Sequence, residues 1–370
     1  MENNKPIRVL HVVTIMNRGG LETNIMNYYR KIDRNKIQFD FITHRNERGD
    51  YDDEIEELGG KIYKMIPIRP GNYKKYFNML DDFFAKNNYY KIVHSHINEN
   101  SAFVLRAAKK ANIECRIAHN HVAGLKFDYK FIFRMYARLN LKNNVNNFFA
   151  CSKDAAKWLF GNNIFNEHEV NILNNAIDIE KFSFNNRIRE TKRKELGLND
   201  ELVFGHVGRF SKSKNHDFLI DVFYEINKNN KNTILLLVGD GELKPNIKKK
   251  VNKLGIEKYV KFLGLRTDVS EILQAMDSII FPSFFEALPV CLVEAQATGL
   301  KCVVSTGIPK DANIINNMEF LDLKLGAKAW AENILTMDFS RNYKPQIVKS
   351  KGYDINDNVK WLTDFYLKNN

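Results

Sequence analysis

The chain has 370 residues, 44% hydrophobic and 12% aromatic, with 56 Lys and Arg against 44 Asp and Glu for a net charge of +12. That length suits two domains with separate cores, and that apolar content excludes an unfolded chain. Four scattered cysteines, Cys115, Cys151, Cys291 and Cys302, form no CxxC pair, which argues against a disulfide frame or a cysteine zinc site. The opening MENNKPIRVLHVVT has neither a basic n-region nor a long apolar h-region, and no stretch approaches the length of a membrane-spanning helix. The expectation is a cytoplasmic protein. Its positive charge fits either an anionic partner or a solvated lysine-rich surface.

In chain order, RVLHVVT (8–14) predicts a buried strand, followed by Gly19-Gly20 and the helical spacing of LETNIMNYYRKI. FDFITH (39–44), KIVHSH (91–96) and ECRIAHNH (114–121) predict further strands, with YKKYFNMLDDFFAK and SAFVLRAAKKA as helices between them. The stretch 174–200 is polar, basic and poor in strand formers, and reads as an interdomain connection. A second strand series follows: LVFGHVG (202–208), TILLLVG (233–239), YVKFLG (259–264), SIIFPS (278–283) and KCVVS (301–305). Strand–helix alternation implies right-handed crossovers and parallel sheets. The expected fold is α/β, with two doubly wound domains, 1–180 and 181–352, facing across a cleft. The last segment, about 353–370, has apolar Val359, Leu362, Phe365 and Tyr366 at helical spacing and is expected to pack back on the first domain.

Several residues carry candidate chemistry. Gly19-Gly20 between a strand and a helix either brings backbone close to a phosphate or makes a tight structural turn; it is neither GxGxxG nor a Walker loop. The pairs His94/His96 and His119/His121 end consecutive strands, each pair on one sheet face. Without an evident carboxylate set beyond Glu99, no metal is expected there. Arg209 and Lys214 follow a strand end and suit a diphosphate, or are two solvated loop cations. In FPSFFEALPVCLVEAQATGL (281–300), Glu286 and Glu294 stand alone in an apolar run, so each needs a partner. Pro289 suits the first turn of a helix, which puts Glu286 in the preceding loop beside the free N–H groups of Ala287 and Leu288, and Glu294 in the second turn. The partners come from elsewhere in the fold or from a ligand: either sugar hydroxyls and a ribose diol serve the two carboxylates, or the two are a helix-dipole acid and a buried structural acid.

The Glu286…Glu294 element, the GG-x-E run, VGRF…KNH, LLLVGDGEL, FLGLRTDV and NAIDIEKF together resemble the retaining family 4 glycosyltransferases of the GT-B fold. VVSTGIPKDANIINNMEFLDL followed by AKAWAENI is similar to the capsular and exopolysaccharide branch. The resemblance spans nearly the whole chain in the expected order. It implies an N-terminal acceptor-binding and a C-terminal donor-binding Rossmann-like domain, and transfer from a nucleotide (UDP) sugar to a lipid-linked saccharide. Arg209 and Lys214 would bind the donor diphosphate with backbone at Gly19 and Gly20, and Glu286, Ala287 and Leu288 the donor sugar. Glu294 would take the ribose, Leu265 and Arg266 would frame the base, and His121 would contact the transferring sugar. Ala287, Ser213 and Gly307 depart from the family's usual Gly, Gln and acidic residue. No enzymic nucleophile and no obligatory cofactor or metal is implied; cations and a helix N-terminus stabilise the leaving diphosphate instead.

Lys126, Lys130, Arg134, Arg138 and Lys142 recur every four residues among Phe127, Phe131, Phe133, Met135 and Tyr136. Such a helix either lies on an anionic membrane or turns its aromatics to the core. A sugar-nucleotide epimerase of similar build remains the alternative enzyme. Nucleic-acid binding is not expected, for lack of aromatic–basic recognition motifs.

Overall fold

The structure is a computed structural model that describes residues 5–69, 71–122, 131–167, 169–286 and 288–370. The chain divides into two compact units, Met1–Ala176 with Ile355–Asn370, and Ile177–Asp354.

In the first unit, seven strands pair in parallel: β1 (Ile7–Val13), β2 (Ile37–Thr43), β3 (Ile62–Lys64), β4 (Ile92–Ser95), β5 (Cys115–Asn120), β6 (Asn147–Ala150) and β7 (Val170–Ile172), in the order β3-β2-β1-β4-β5-β6-β7. Their β-branched and aromatic residues suit a sheet covered on both sides, and β2 is buried along its whole length. Alternation sends Leu10 and Val12 into one core layer and Val9 and Val13 into the other. The second layer is closed by the C-terminal helix Ile355–Lys368, whose Ile355, Val359, Leu362 and Tyr366 are buried in it.

The second unit is a six-stranded parallel sheet of β8 (Leu202–Val207), β9 (Thr233–Val238), β10 (Val260–Gly264), β11 (Ser278–Phe281), β12 (Lys301–Ser305) and β13 (Met318–Leu321), in the order β10-β9-β8-β11-β12-β13. Here too the strands alternate between layers, Phe204, Leu235, Leu237 and Ile280 on one side, Val203, Leu236, Ile279 and Phe281 on the other.

The expected division after residue 180 falls a few residues late. Ile177, Ile179 and Phe182 are buried in the second unit's own core, so the chain has already joined that unit. The connecting stretch 174–200 is itself structured. It contains the helix Asn186–Glu195, capped by the Asn185 side chain, which accepts from the Arg187 and Ile188 amides at 2.9 and 3.3 Å. Arg189 and Arg193 on that helix reach the Asp277 carboxylate. All four cysteines are free thiols. Among the described residues, no helix is long and apolar enough to cross a membrane.

Candidate active site

In the second unit, the chain leaves β8 toward β9 and β10 on one side and leaves β11 toward β12 and β13 on the other. The loops after β8 and β11 therefore part at a topological switch point, where doubly wound sheets open a ligand crevice. The sequence places Arg209 and Lys214 in the first of these loops and Glu286 in the second, with Glu294 on the helix Val290–Ala297 that follows.

Lys214 and Glu286 meet. The Lys214 ammonium donates to Glu286 Oε1 at 2.7 Å, each side chain is only 17% exposed, and Nζ lies 4.7 Å from the centre of the Phe281 ring. Of the two sources open to Glu286, the rest of the fold or a ligand, the fold already supplies one: the cation comes from the neighbouring strand's loop. The backbone fixes the pair, since the Phe284 amide donates to Ser213 O (2.9 Å) and the Glu286 amide to Gly307 O (3.3 Å). A Cβ at Gly307 would come within 2.2 Å of Phe284 O, which accounts for glycine where the family often carries an acid.

Glu294 is partly buried, and burial pushes its carboxyl up to about 7, with Lys181 opposing the rise. Its side chain has no hydrogen-bond or ion-pair partner among the described residues, unlike Glu286. Pro289 is the residue before the helix, with φ −67° and ψ 120°, and the first turn starts at Val290. Arg209 is 74% exposed and its guanidinium reaches Glu242 at 3.2 Å. Leu288 is buried, and Ala287 lies outside the described residues. Leu265 and Arg266 follow β10, at the sheet edge and two strands from β8. Leu265 is exposed, but Arg266 folds back onto Asp268 (2.6 Å) and Glu195 (3.5 Å), so its guanidinium is already engaged within the unit.

In the first unit, Gly19 precedes the helix Gly20–Lys31 in extended backbone. A Cβ there would approach Glu22 Oε2 to 2.3 Å, so the carboxyl of the GG-x-E run covers this turn; nothing crowds Gly20. Burial pushes the Glu22 carboxyl up to about 7.

The two His-x-His pairs do share a face, and His11 of β1, which the sequence reading did not single out, joins them. Its signal was register, because His11 lies opposite His94 in the β1–β4 pairing. His11 Nδ1 is 3.0 Å from His96 Nε2, and His96 Nδ1 is 3.0 Å from His121 Nε2. In a parallel run, Tyr366 Oη is 2.6 Å from His94 Nδ1, and His94 Nε2 is 3.0 Å from His119 Nδ1. Burial lowers His11 and His121 to about 3 and holds His94, His96 and His119 well below the usual imidazole range, so all five are neutral. Among the described residues, the triads His11/His94/His96 and His96/His119/His121 each bring three ring nitrogens within 4.8 Å and are the groups that could hold a metal ion.

The basic stripe is arranged differently from its sequence reading. Lys126 and Lys130 lie outside the described residues. On the helix Phe131–Leu141, Arg134 turns to Glu99 (3.6 Å), and Arg138 donates to Leu159 O (3.0 Å) beside the Trp158 ring. Phe133 packs against the core, and the solvent face is apolar: Ile132, Tyr136 and Leu139 are 82%, 59% and 64% exposed.

Residues 188–336 match the family described as glycosyl transferases group 1, and residues 18–181 match glycosyltransferase family 4. The chain is 34% identical to EpsF of Bacillus subtilis (strain 168), named as a glycosyltransferase, over 98% of this chain and 97% of that protein. It is 28% identical to the capsular polysaccharide biosynthesis glycosyltransferase CapH of Staphylococcus aureus, over 98% and 99% of the two chains. It is 27% identical, over 76% of each chain, to the Escherichia coli UDP-Gal:alpha-D-GlcNAc-diphosphoundecaprenol alpha-1,3-galactosyltransferase. Among solved structures, Anabaena HepE in complex with UDP-glucose aligns with a TM-score of 0.78 and 17% identity, over 98% of this chain and 99% of that one. Two parallel Rossmann-like units of this kind make a GT-B glycosyltransferase. The chain belongs to the family 4 glycosyltransferases, in the branch that serves capsular polysaccharide and exopolysaccharide biosynthesis.

Proposed function

We propose that this glycosyltransferase moves a sugar from a UDP-sugar to a lipid-linked saccharide, with retention at the anomeric carbon and without an obligatory metal. The observation that carries this reading is the Lys214–Glu286 pair at the β8/β11 switch point, with exposed Arg209 in the same loop and Glu294 beyond. HepE in complex with UDP-glucose supports the donor class, and the name of the Escherichia coli galactosyltransferase supports a diphosphate-linked lipid acceptor.

The residues suggest a sequence of events. In the free protein, Lys214 and Glu286 neutralise one another. A diphosphate beside Lys214 shares its ammonium, which frees a Glu286 oxygen to accept from a donor-sugar hydroxyl. As the bond from the anomeric carbon to the diphosphate breaks, charge grows on the leaving oxygen, where Lys214 and Arg209 stabilise it. The acceptor hydroxyl bonds to the same face of the sugar, and its proton passes to the leaving phosphate. Glu294 accepts from the ribose diol, and Leu265 sits beside the base.

A lipid-linked acceptor requires a route to the bilayer. The apolar face Ile132, Tyr136 and Leu139, with exposed Lys142 after the helix, is proposed to insert at the inner surface of the cell membrane, which makes the protein a peripheral one. No nucleic acid is involved.

The test is incubation with UDP-glucose, UDP-galactose and their N-acetylated forms in EDTA, with and without a diphosphate-lipid saccharide, followed by linkage analysis. Acceptor-dependent UDP release with an α-linked product is expected from these α-linked donors. An inverted product, or UDP and an epimerised sugar formed without acceptor, overturns the reading.

A further inference from the structure

We propose that the first unit carries a saccharide-binding groove built around Trp361, at the amino ends of β6 and β7. It takes an already assembled stretch of a glycan chain. This rests on the family to which the chain belongs, and not on the donor, acceptor or mechanism proposed above.

The last helix buries one stripe of side chains, Ile355, Val359, Leu362 and Tyr366. A second stripe, Trp361, Asp364, Phe365 and Lys368, recurs at the same steps of three and four residues and runs beside the first. It lines a groove of about 510 Å³, closed on the sheet side by residues that include Asn147 and Asn171. That volume suits a small ligand. Asn147 is the first residue of β6, and Glu169, which also lines the groove, stands just before β7. The groove therefore lies away from the carboxyl ends of the strands, where doubly wound sheets open their ligand crevice. The four residues of β6 alone span roughly 13 Å. A glycan bound here is held clear of the reacting end.

The lining has a specific chemistry. Trp361 is 42% exposed, and its ring centre lies 5.6 Å from that of Phe365, 20° from parallel, and 5.7 Å from that of Phe149. These two rings fix the indole and leave part of it to the groove. Asn147 donates its amide hydrogens to Asn146 Oδ1 (3.1 Å) and Cys115 Sγ (3.6 Å), which leaves Oδ1 as an acceptor. The Asn171 amide and the Glu169 and Asp364 carboxylates have no hydrogen-bond or ion-pair partner among the described residues. A pyranose matches this set: the C–H groups of one face lie on the indole, and the hydroxyls at its rim pair with amides and carboxylates.

Other occupants match less well. The described lining holds aromatic, amide and charged side chains and no aliphatic one, so it offers little to an acyl chain or to the apolar centre of a protein interface. Two carboxylates against one lysine oppose a nucleic acid or an anionic bilayer. A chain of the polysaccharide-making branch meets saccharides as a matter of course.

The experiment applies the full chain, without donor, to an array of bacterial capsular and exopolysaccharide fragments, and titrates each retained fragment by calorimetry. The parent should retain at least one fragment. Trp361→Ala should weaken that binding about tenfold, by loss of the ring contact. Asp364→Ala should weaken it about fivefold, the worth of one hydrogen bond. UDP affinity should stay unchanged in both. Asp364 is exposed, so its variant keeps the fold even if Trp361→Ala does not. An array on which the parent retains no fragment overturns the proposal, as does fragment binding that the folded variants leave unchanged. A parent that sediments as a dimer beside a monomeric Trp361→Ala also overturns it, because the groove then faces a second copy of the chain. Neither donor nor turnover enters the measurement, so its failure is distinct from failure of the proposed reaction.

Discussion

Replacing Glu294 by Gln should stabilise the protein and weaken its hold on nucleotide. Burial raises this carboxyl from an ordinary 4.5 to about 7. A carboxyl raised in the folded state binds its proton there while the unfolded chain has already lost it. Between about pH 4.5 and about 7 the folded form therefore holds the extra proton, and stability falls as pH rises through this window. Above it, the ionised carboxylate costs about 3 kcal/mol at most. Glu294 retains some contact with water, so about 2 kcal/mol is the working figure. Glutamine has the same shape and does not titrate. Calorimetry on parent and Glu294→Gln should show matching melting temperatures near pH 4.5 and a gap of roughly 4–8 °C at pH 8, in favour of the variant. Glu22 titrates in the same direction but is common to both proteins, so it cancels in the difference. If the carboxylate holds a ribose diol, the variant should also bind UDP more weakly by about 1–3 kcal/mol. A melting gap that does not change between pH 5 and pH 8 refutes the argument, because the cost of ionisation would then be absent.

Lys214→Met leaves Glu286 without its cation and should destabilise by about 1–3 kcal/mol, while Lys214→Met with Glu286→Gln recovers part of this; additive single effects in denaturant titrations would exclude the coupling. Glu286→Gln should reduce turnover more than UDP affinity, and Glu294→Gln the reverse; calorimetric titration with UDP beside steady-state rates would expose any exchange of these roles. Activity should persist in EDTA, and a complete loss restored by a divalent ion would contradict a metal-free mechanism. Ile132→Glu with Leu139→Glu should release the protein from anionic vesicles in co-sedimentation, whereas reversing Arg134 and Arg138 should mainly impair folding, seen as a lower melting temperature, since both guanidiniums are engaged within the unit.

Long, β-branched strands were legible in the sequence: 202–208, 233–239 and 301–305 are β8, β9 and β12 to within two residues. β3, β6, β7 and β13 went unseen: each has only three or four residues and, unlike the equally short β4 and β11, none carries a run of β-branched residues, β6 reading simply as an apolar NFFA. Of the candidate site, strand-end position singled out Arg209 and Lys214, and isolation in an apolar run singled out Glu286 and Glu294. Their pairing was not legible, since Lys214 and Glu286 are brought together by strand order, which local pattern does not contain. His11 was hidden for the same reason: one histidine in RVLHVVT looks like a core residue until the neighbouring strand supplies His94. The basic stripe misled because spacing every four residues shows which side chains share a helix face, and not which face meets water.

The last helix bears on how the molecule is made. Val359, Leu362 and Tyr366 fill a core layer whose other members include Val9, Phe39 and Ile117. During synthesis the first unit therefore waits, with that layer open, until the ribosome has released a segment that lies beyond the whole of the second unit. The second unit, Ile177–Asp354, is continuous and can close as soon as its own last residues emerge. The half of the protein that is translated first is thus the half that finishes last. Throughout that interval its histidine-bearing face lacks Tyr366, the partner of His94.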